Sequence, residues 1–329
     1  MSLDPCIVVT GAAGFIGGRL LESFAQQAPP GSVLAVDHPL KPGRPTPLER
    51  VPGTPFLDHA EFLRRLEADE LRPEVILHMG ACSSTTETSW PYLEENNLGY
   101  SRRIWSWCAR HQKRVVYASS AATYGDGSAG FDDEGDLHRL QPLNLYGRSK
   151  HDFDLWVDAE IQAGRPAPAQ SVGLKFFNVF GYGESYKGRM ASMVYHGYRQ
   201  IHESGVVRLF QSHREGYADG GQLRDFISVE DVVTVIRRLE SEPRIFGLFN
   251  LGTGRAESFR SLTEAVFLAL GREPRIEYIP MPADLRGKYQ YFTEATMRKL
   301  ASVGIEYSPT PLQLAVRHYV VRMEADAGR

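Results

Sequence analysis

The chain has 329 residues, 42% of them hydrophobic, enough to bury one large core or two moderate ones. A formal net charge of −3, dispersed basic residues and no run near the roughly 18 apolar residues of a membrane span exclude general nucleic-acid or membrane binding. Cys6, Cys82 and Cys108 are odd in number and lack metal-ligand spacing, so we expect free thiols in a reducing cytoplasm, no metal site and no signal peptide.

Cys6 to Thr10 reads as a short buried strand, followed by Gly11-Ala12-Ala13-Gly14-Phe15-Ile16-Gly17 and a helix to about Gln27. Gly11, Gly14 and Gly17 in this setting permit a tight turn and close backbone approach, and the helix N-terminus offers N–H groups to a pyrophosphate. Val33 to Asp37 is a second strand ending in an acid, which suits ribose hydroxyls and opposes a 2′-phosphate. Eight prolines within residues 29–55 forbid a long helix there, and Lys41 and Arg44 in that loop would favour a 2′-phosphate.

A helix over about 59–70 and a strand over 75–78 lead to Met79-Gly80-Ala81-Cys82-Ser83, small and hydroxyl residues at a strand's C-terminal end that suit contact with cofactor and substrate. A helix over about 91–110 carries Asn96 and Asn97, amides that need a reason to point inward, and ends near His111. Val115 to Ala118 is a buried strand with Ser119 and Ser120 at its C-terminal end, where open α/β sheets bind ligands. Tyr146 and Lys150, four apart on the next helix, share a face. The cation is expected to lower the phenol pKa, and Ser120 to hold the same substrate oxygen. Such a trio moves a proton on a carbinol whose hydride leaves to a nicotinamide.

That helix runs to about Ile161, and a strand over 171–177 precedes Asn178-Val179-Phe180-Gly181, where Asn178 is placed to touch a sugar. Residues 182–190 form a partly basic loop before a helix containing His196, and 211–223 form a second polar loop. Arg224 to Asp231 reads as a short strand and helix start, 249–254 as a late strand and turn, and 256–329 as short helices and loops. Alternating strand and helix through residue 180 predicts an α/β fold, a Rossmann-like doubly wound parallel sheet. We expect residues 1–175, with about 224–250, to form the dinucleotide-binding domain, and 176–223 with 251–329 a smaller C-terminal α/β substrate lobe.

The glycine fingerprint with Ser120, Tyr146 and Lys150 resembles the extended short-chain dehydrogenase/reductase superfamily. Within it, Gly80 to Glu87, Asn144 to Gly147, Lys187 to Ser192, Arg224 to Phe226 and Asn250 to Phe259 resemble the ADP-L-glycero-D-manno-heptose 6-epimerase family over nearly the whole chain. The resemblance implies a homo-oligomeric isomerase that inverts C6 of the heptose in a nucleotide sugar, ADP-D-glycero-D-manno-heptose, for the lipopolysaccharide inner core, using NADP, with NAD as the other option. It implies that Phe15, Ile16, Asp37, His38, residues 79–83, Asn96, Tyr146, Lys150 and Val179 meet the cofactor, and that Ser83, Asn178, Lys187, Arg189, His196, Phe210, Arg224 and Tyr289 meet substrate. Three positions depart from the pattern: Arg189 stands for a serine, His59 for a phosphate-binding lysine, and the loop 211–223 is longer.

C6 carries no activated hydrogen, so inversion requires oxidation to a ketone and reduction from the other face. The turned ketone oxygen leaves Tyr146 and needs a second proton donor, for which Lys187 is the candidate; Arg224 is the first choice for the diphosphate. The alternatives are a 4-epimerase, a 4,6-dehydratase, or a non-catalytic dinucleotide-binding regulator. A dehydratase needs an acid pair close behind the serine, where this chain has Ala121-Ala122-Thr123.

Overall fold

The computed structural model describes residues 5–40, 46–282, 286 and 289–328. In chain order its first half comprises β1 (Ile7–Thr10), α1 (Phe15–Ala25), β2 (Val33–Asp37), β3 (Phe56–Asp58), α2 (His59–Glu67), β4 (Val75–His78), α3 (Trp90–Leu93), α4 (Tyr100–His111), β5 (Arg114–Ser120) and α5 (Leu145–Gln162). Then follow β6 (Gln170–Phe176), β7 (Asn178–Phe180), α6 (Met193–Ser204), β8 (Val207–Phe210), β9 (Leu223–Ser228), α7 (Val229–Ser241), β10 (Gly247–Leu251), β11 (Ala256–Ser258), α8 (Phe259–Ala269), β12 (Ile276–Ile279), α9 (Arg298–Ser302) and α10 (Leu312–Ala327).

Seven strands pair in parallel in the order β10-β6-β5-β4-β1-β2-β3. Their apolar runs are continuous rather than alternating because helices cover both faces. On one face Leu20, Leu21 and Phe24 of α1 and Val232, Val235 and Ile236 of α7 pack against the sheet. On the other, Phe62 and Leu66 of α2, Ile104 and Trp105 of α4, and Phe153 and Val157 of α5 do so. The strand order reverses between β1 and β4, and a crevice opens there at the strand C-termini.

The two small sheets, β11-β9-β7 and β12-β8, pack with α6, α8 and α10 around a separate core containing Phe180, Val194, Leu209, Phe226, Val266 and Val316. Here the structure differs from the expectation of short helices and loops after residue 256. α10 is a 16-residue helix, burying Leu312, Ala315, Val316, Tyr319 and Val320 at helical spacing. β8 and β12 are joined in parallel from residues far apart in the chain, a pairing that no local pattern reveals. The single helix expected over 91–110 is α3 and α4 separated by a π-helical turn, Glu94–Gly99.

Behind Ser120 the chain makes a 3-10 turn, Ala121–Tyr124, which Gly125 ends with φ +65°. A Cβ there would lie 1.9 Å from the Gln141 carbonyl oxygen. Left-handed backbone and lack of space therefore coincide. Gly125→Ala should cost about 1–3 kcal/mol in stability, read as a lower urea or thermal unfolding midpoint. A wild-type midpoint would show that the turn relaxes freely.

Candidate active site

The glycine loop is shaped by backbone contact. Gly11 has φ +68°, and a Cβ on it would stand 2.8 Å from Gly80 Cα, so the loops after β1 and β4 touch main chain to main chain. A Cβ on Gly17 would fall 2.2 Å from the Gly11 carbonyl oxygen, so α1 also starts against the turn. Gly14 caps α1 without a side-chain acceptor, leaving the first-turn N–H groups directed toward the crevice. One of them, Phe15 N–H, donates to the Tyr186 hydroxyl oxygen at 2.8 Å. Asp37 accepts from Ala13 N–H at 2.8 Å and from His38 N–H at 2.7 Å, which ties the end of β2 to the glycine loop.

The resulting cleft, of about 280 Å³, brings Gly11, Gly14, Phe15, Ile16, Gly17, Asp37 and His38 together with Met79 to Ser83 and Asn96. His59, Tyr100, Tyr186 and Lys187 complete its walls. Tyr100 and Tyr186 escaped sequence reasoning because nothing local marks an aromatic that arrives from a distant segment. The His38 and His59 rings lie 3.9 Å apart at the Asp37 end. Lys41 and Arg44 lie outside the described residues.

Asn97, rather than Asn96, is the buried amide. It accepts from Cys82 N–H at 2.8 Å and donates to the Cys82 carbonyl at 3.0 Å and to Ser149 Oγ at 2.9 Å. Ser149 in turn donates to the Tyr146 carbonyl at 2.8 Å, so one side chain fastens the β4 loop to α5. The π turn adds a residue to the helical circuit, so that Asn96 lines the cleft while the adjacent Asn97 is buried. A second buried relay runs from Gly80 N–H to Thr10 Oγ1 (3.0 Å), from Thr10 to His78 Nδ1 (2.7 Å), and from His78 Nε2 to Ser101 Oγ (2.8 Å). Because Ser101 Oγ gives its proton to the Asn97 carbonyl, it accepts from His78 Nε2–H, which leaves Nδ1 to accept the Thr10 proton. Burial, with Lys150 nearby, drops His78 to about 3, so the ring stays neutral.

Ser120, Tyr146 and Lys150 meet beside the cleft. The Ser120 side chain acts on the Tyr146 phenol in the direction of phenolate, and Lys150 Nζ donates to the Ala118 carbonyl at 2.8 Å. Cys82, a cleft residue, lies near both Tyr146 and Lys150, and burial keeps it a neutral thiol. The expected depression of the phenol is not found. Burial pushes Tyr146 above the ordinary tyrosine value despite the lowering effect of Ser120, and burial also lowers Lys150 to about 8. Desolvation penalises phenolate and ammonium alike, and it outweighs their spacing on one helix face.

The expected substrate residues divide into three groups. Lys187 stands over the Phe15 ring at 5.3 Å, its pKa lowered by burial and partly restored by Glu184. Arg189, two residues on, is exposed. Asn178 is exposed on β7 and His196 is half-buried on α6, while Val179, expected at the cofactor, packs partly buried against the main core and is not part of the cleft wall. Phe210, Arg224 and Tyr289 gather apart from the cleft: the Arg224 guanidinium lies 5.1 Å over Tyr289, whose ring is 6.4 Å from Phe210. Arg224 donates to the Leu223 carbonyl at 2.8 Å and to that of Gln290, and the Gln290 amide donates to the Gly125 carbonyl behind Ser120.

The profile of the NAD dependent epimerase/dehydratase family matches residues 7–252. The chain belongs to this family. Over 323 residues it is 45% identical to the ADP-L-glycero-D-manno-heptose-6-epimerase of Nitratidesulfovibrio vulgaris Hildenborough, covering 97% of this chain and 98% of that one. The enzyme of the same name from Fusobacterium nucleatum is 40% identical over 327 residues, with 95% and 96% covered. Among solved structures, the Helicobacter pylori ADP-L-glycero-D-manno-heptose-6-epimerase superposes with a TM-score of 0.78 at 26% identity, covering 98% of this chain and 97% of that one. The Thermus thermophilus UDP-glucose 4-epimerase in complex with NAD shares the fold, with a TM-score of 0.74 at 24% identity over 97% of this chain and 98% of that one. A nicotinamide cofactor follows from the family.

The glycine cradle fits such a cofactor because its N–H groups and its lack of Cβ atoms leave room for a close anion. A Cβ at Gly14 would already be 2.9 Å from the Gly11 carbonyl oxygen and 3.4 Å from Tyr186 Oη, and its extended φ of −87° tolerates a side chain. Gly14→Val should therefore weaken NADH and NADPH binding about 100-fold or more in the folded protein, and the crowded Gly11 carbonyl should also lower the unfolding midpoint. Fluorescence titration of the purified variant checks this, and wild-type affinity would take the glycine loop out of the site.

Proposed function

We propose that this chain inverts C6 of the heptose in ADP-D-glycero-D-manno-heptose, giving ADP-L-glycero-D-manno-heptose, with NADP as its bound cofactor in the cytoplasm. The observation that carries the reading is Tyr146 and Lys150 four apart on α5, with Ser120 at the end of β5 acting on the phenol, beside a dinucleotide cleft. Relatives 40–45% identical over nearly the whole chain are named for this epimerisation. Free Cys6, Cys82 and Cys108, with no helix among the described residues long and apolar enough to cross a membrane, suit the cytoplasm. Residues 1–175 with about 224–250 would hold the cofactor, and 176–223 with 251–329 the sugar nucleotide.

The glycine-loop N–H groups would hold the pyrophosphate, and Asp37 and His38 the adenosine ribose. Both Asp37 oxygens already accept backbone N–H groups, which moderates the repulsion of a 2′-phosphate, and His38 and His59 stand at the same end. This supports NADP. Bound there, such a cofactor would supply the hydride acceptor and donor for C6.

The protein's part is proton transfer and restraint. Tyr146, as phenolate, takes the C6 hydroxyl proton while Ser120 donates to the same oxygen. Burial holds Tyr146 neutral, and Lys150 as ammonium, on the same helix face, would favour the phenolate. With C6 a ketone, rotation about C5–C6 carries the oxygen away from Tyr146. Lys187, whose pKa burial lowers, gives a proton to the turned oxygen. Arg224 would take the diphosphate, and its link through Gln290 to Gly125 runs toward the Ser120 turn. Elimination chemistry lacks an acid here, since the Thr123 hydroxyl is committed to the Ser120 carbonyl at 2.8 Å.

Product analysis after incubation with ADP-D-glycero-D-manno-heptose should show the C6 epimer; an unchanged sugar would refute the assignment. Tyr146→Phe should slow oxidation of one pure C6 epimer by roughly 10²–10⁴-fold and Lys187→Met that of the other, read as transient cofactor reduction. Equal damage to both epimers by Tyr146→Phe, with none by Lys187→Met, would make one residue serve both faces. NADP should bind more tightly than NAD; the reverse order would assign Asp37 the deciding role.

A further inference from the structure

Behind Ser120 lies an ion pair that the proton chemistry above does not use. Lys175 on β6 and Asp154 on α5 are fully sequestered from solvent, with Nζ and Oδ2 2.9 Å apart. Ser119 Oγ donates to the same Asp154 oxygen at 2.6 Å. Lys175 Nζ also donates to Thr123 Oγ1 at 2.6 Å, and Thr123 Oγ1 donates to the Ser120 carbonyl at 2.8 Å. The residue before Ser120 and the turn after it are thus both tied to one buried charge pair. Tyr146, Lys150 and Asp154 are spaced four apart on α5, so the pair belongs to the helix face that carries the phenol and the ammonium.

Stability gives little reason for such a pair. Desolvating two charges costs about what their attraction returns, and apolar residues of similar volume often serve as well. Asp154 Oδ1 even lacks a hydrogen-bond partner. What the pair does supply is direction: it fastens β5, β6, α5 and the Ser120 turn at one point, with bonds that tolerate little displacement.

We propose that the Lys175–Asp154 pair is the positioning device that sets Ser120 against Tyr146. Neither residue touches the reacting atoms; both act through Ser119, Thr123 and the α5 backbone. This rests on the epimerase reading above, because the step it supports is proton transfer at Tyr146. The pair also has an electrostatic consequence. Asp154 favours the Lys150 ammonium against burial and opposes the Tyr146 phenolate, while Cys82 of the β4 loop, raised by burial, and His78 of β4 are neutral. Tyr146 shares the helix with Lys150, and Lys175 faces Asp154 from β6. Losing the Asp154 charge leaves the ammonium less favoured, so activity that needs it should fail at lower pH.

Three variants test this in the full-length, cofactor-loaded protein. Lys175→Met with Asp154→Leu replaces the pair without leaving a lone buried charge. Thr123→Val cuts the tie to the Ser120 carbonyl and keeps the pair, and Ser119→Ala cuts the other tie. The double variant should lose about 10²-fold in kcat, the loss expected of a catalytic group displaced by about 1 Å. KM and the affinity for NADPH should stay within about twofold. Its alkaline limb should move to lower pH, whereas that of Thr123→Val should not, although its kcat should also fall.

Unchanged kcat and pH limb in a folded double variant would overturn the proposal. So would a loss that disappears when rates are divided by the fraction of protein binding NADPH, since the role would then be purely structural. Should the double variant not fold, wild-type kcat in both Thr123→Val and Ser119→Ala would overturn it equally. Failure of the wild-type protein to epimerise ADP-heptose would instead count against the epimerase reading.

Discussion

The loops after β1 and β4 approach so closely that neither can carry a side chain at the contact. Gly11 and Gly80 face each other across less than 3 Å of the space a Cβ would need, and the Thr10 hydroxyl accepts the Gly80 N–H beside them. Parallel pairing of β1 with β4 dictates this, because both strands end at the same level and their chains must diverge there. The cleft at the reversal of strand order is the space left by that divergence. Its main-chain N–H groups face that space, and the other walls of the cleft are arranged around them.

Polar contacts that would be expensive to bury singly are joined into continuous relays. Asn97 spends three hydrogen bonds on connecting the Cys82 loop with α5, and the Thr10–His78–Ser101 series links β1, β4 and α4. Breaking one member strands its neighbours in a low-dielectric interior, so these relays hold geometry more strictly than apolar packing of equal size would. They run beneath the cleft and beside Ser120, Tyr146 and Lys150, the groups for which proton transfer is proposed and for which misplacement would be most costly.

Burial also governs the acid–base groups. It acts against the charged form of both Tyr146 and Lys150, and Asp154 favours the Lys150 ammonium while opposing the Tyr146 phenolate. In the proposed epimerisation the two proton transfers fall to different residues, Tyr146 on one orientation of the C6 oxygen and Lys187 on the other. Lys187 is shifted in the same sense from a different segment, with Glu184 as its counterweight.

Much of this was legible in the sequence. Apolar runs ending in Thr10, Asp37, His78 and Ser120 identify parallel strands and the level of their C-terminal ends, because a strand covered on both faces can hold little else. Glycine spacing and the Tyr146–Lys150 interval follow from local geometry, and local geometry repeats. What the chain alone could not reveal depends on residues brought together from afar: Tyr186 on Phe15 N–H, Arg224 with Phe210 and Tyr289, Lys175 with Asp154, and β8 beside β12. The direction of the Tyr146 shift belongs with these. Sequence spacing sets how near the ammonium comes, but only tertiary packing decides how much water is removed, and here the removal of water is the larger effect.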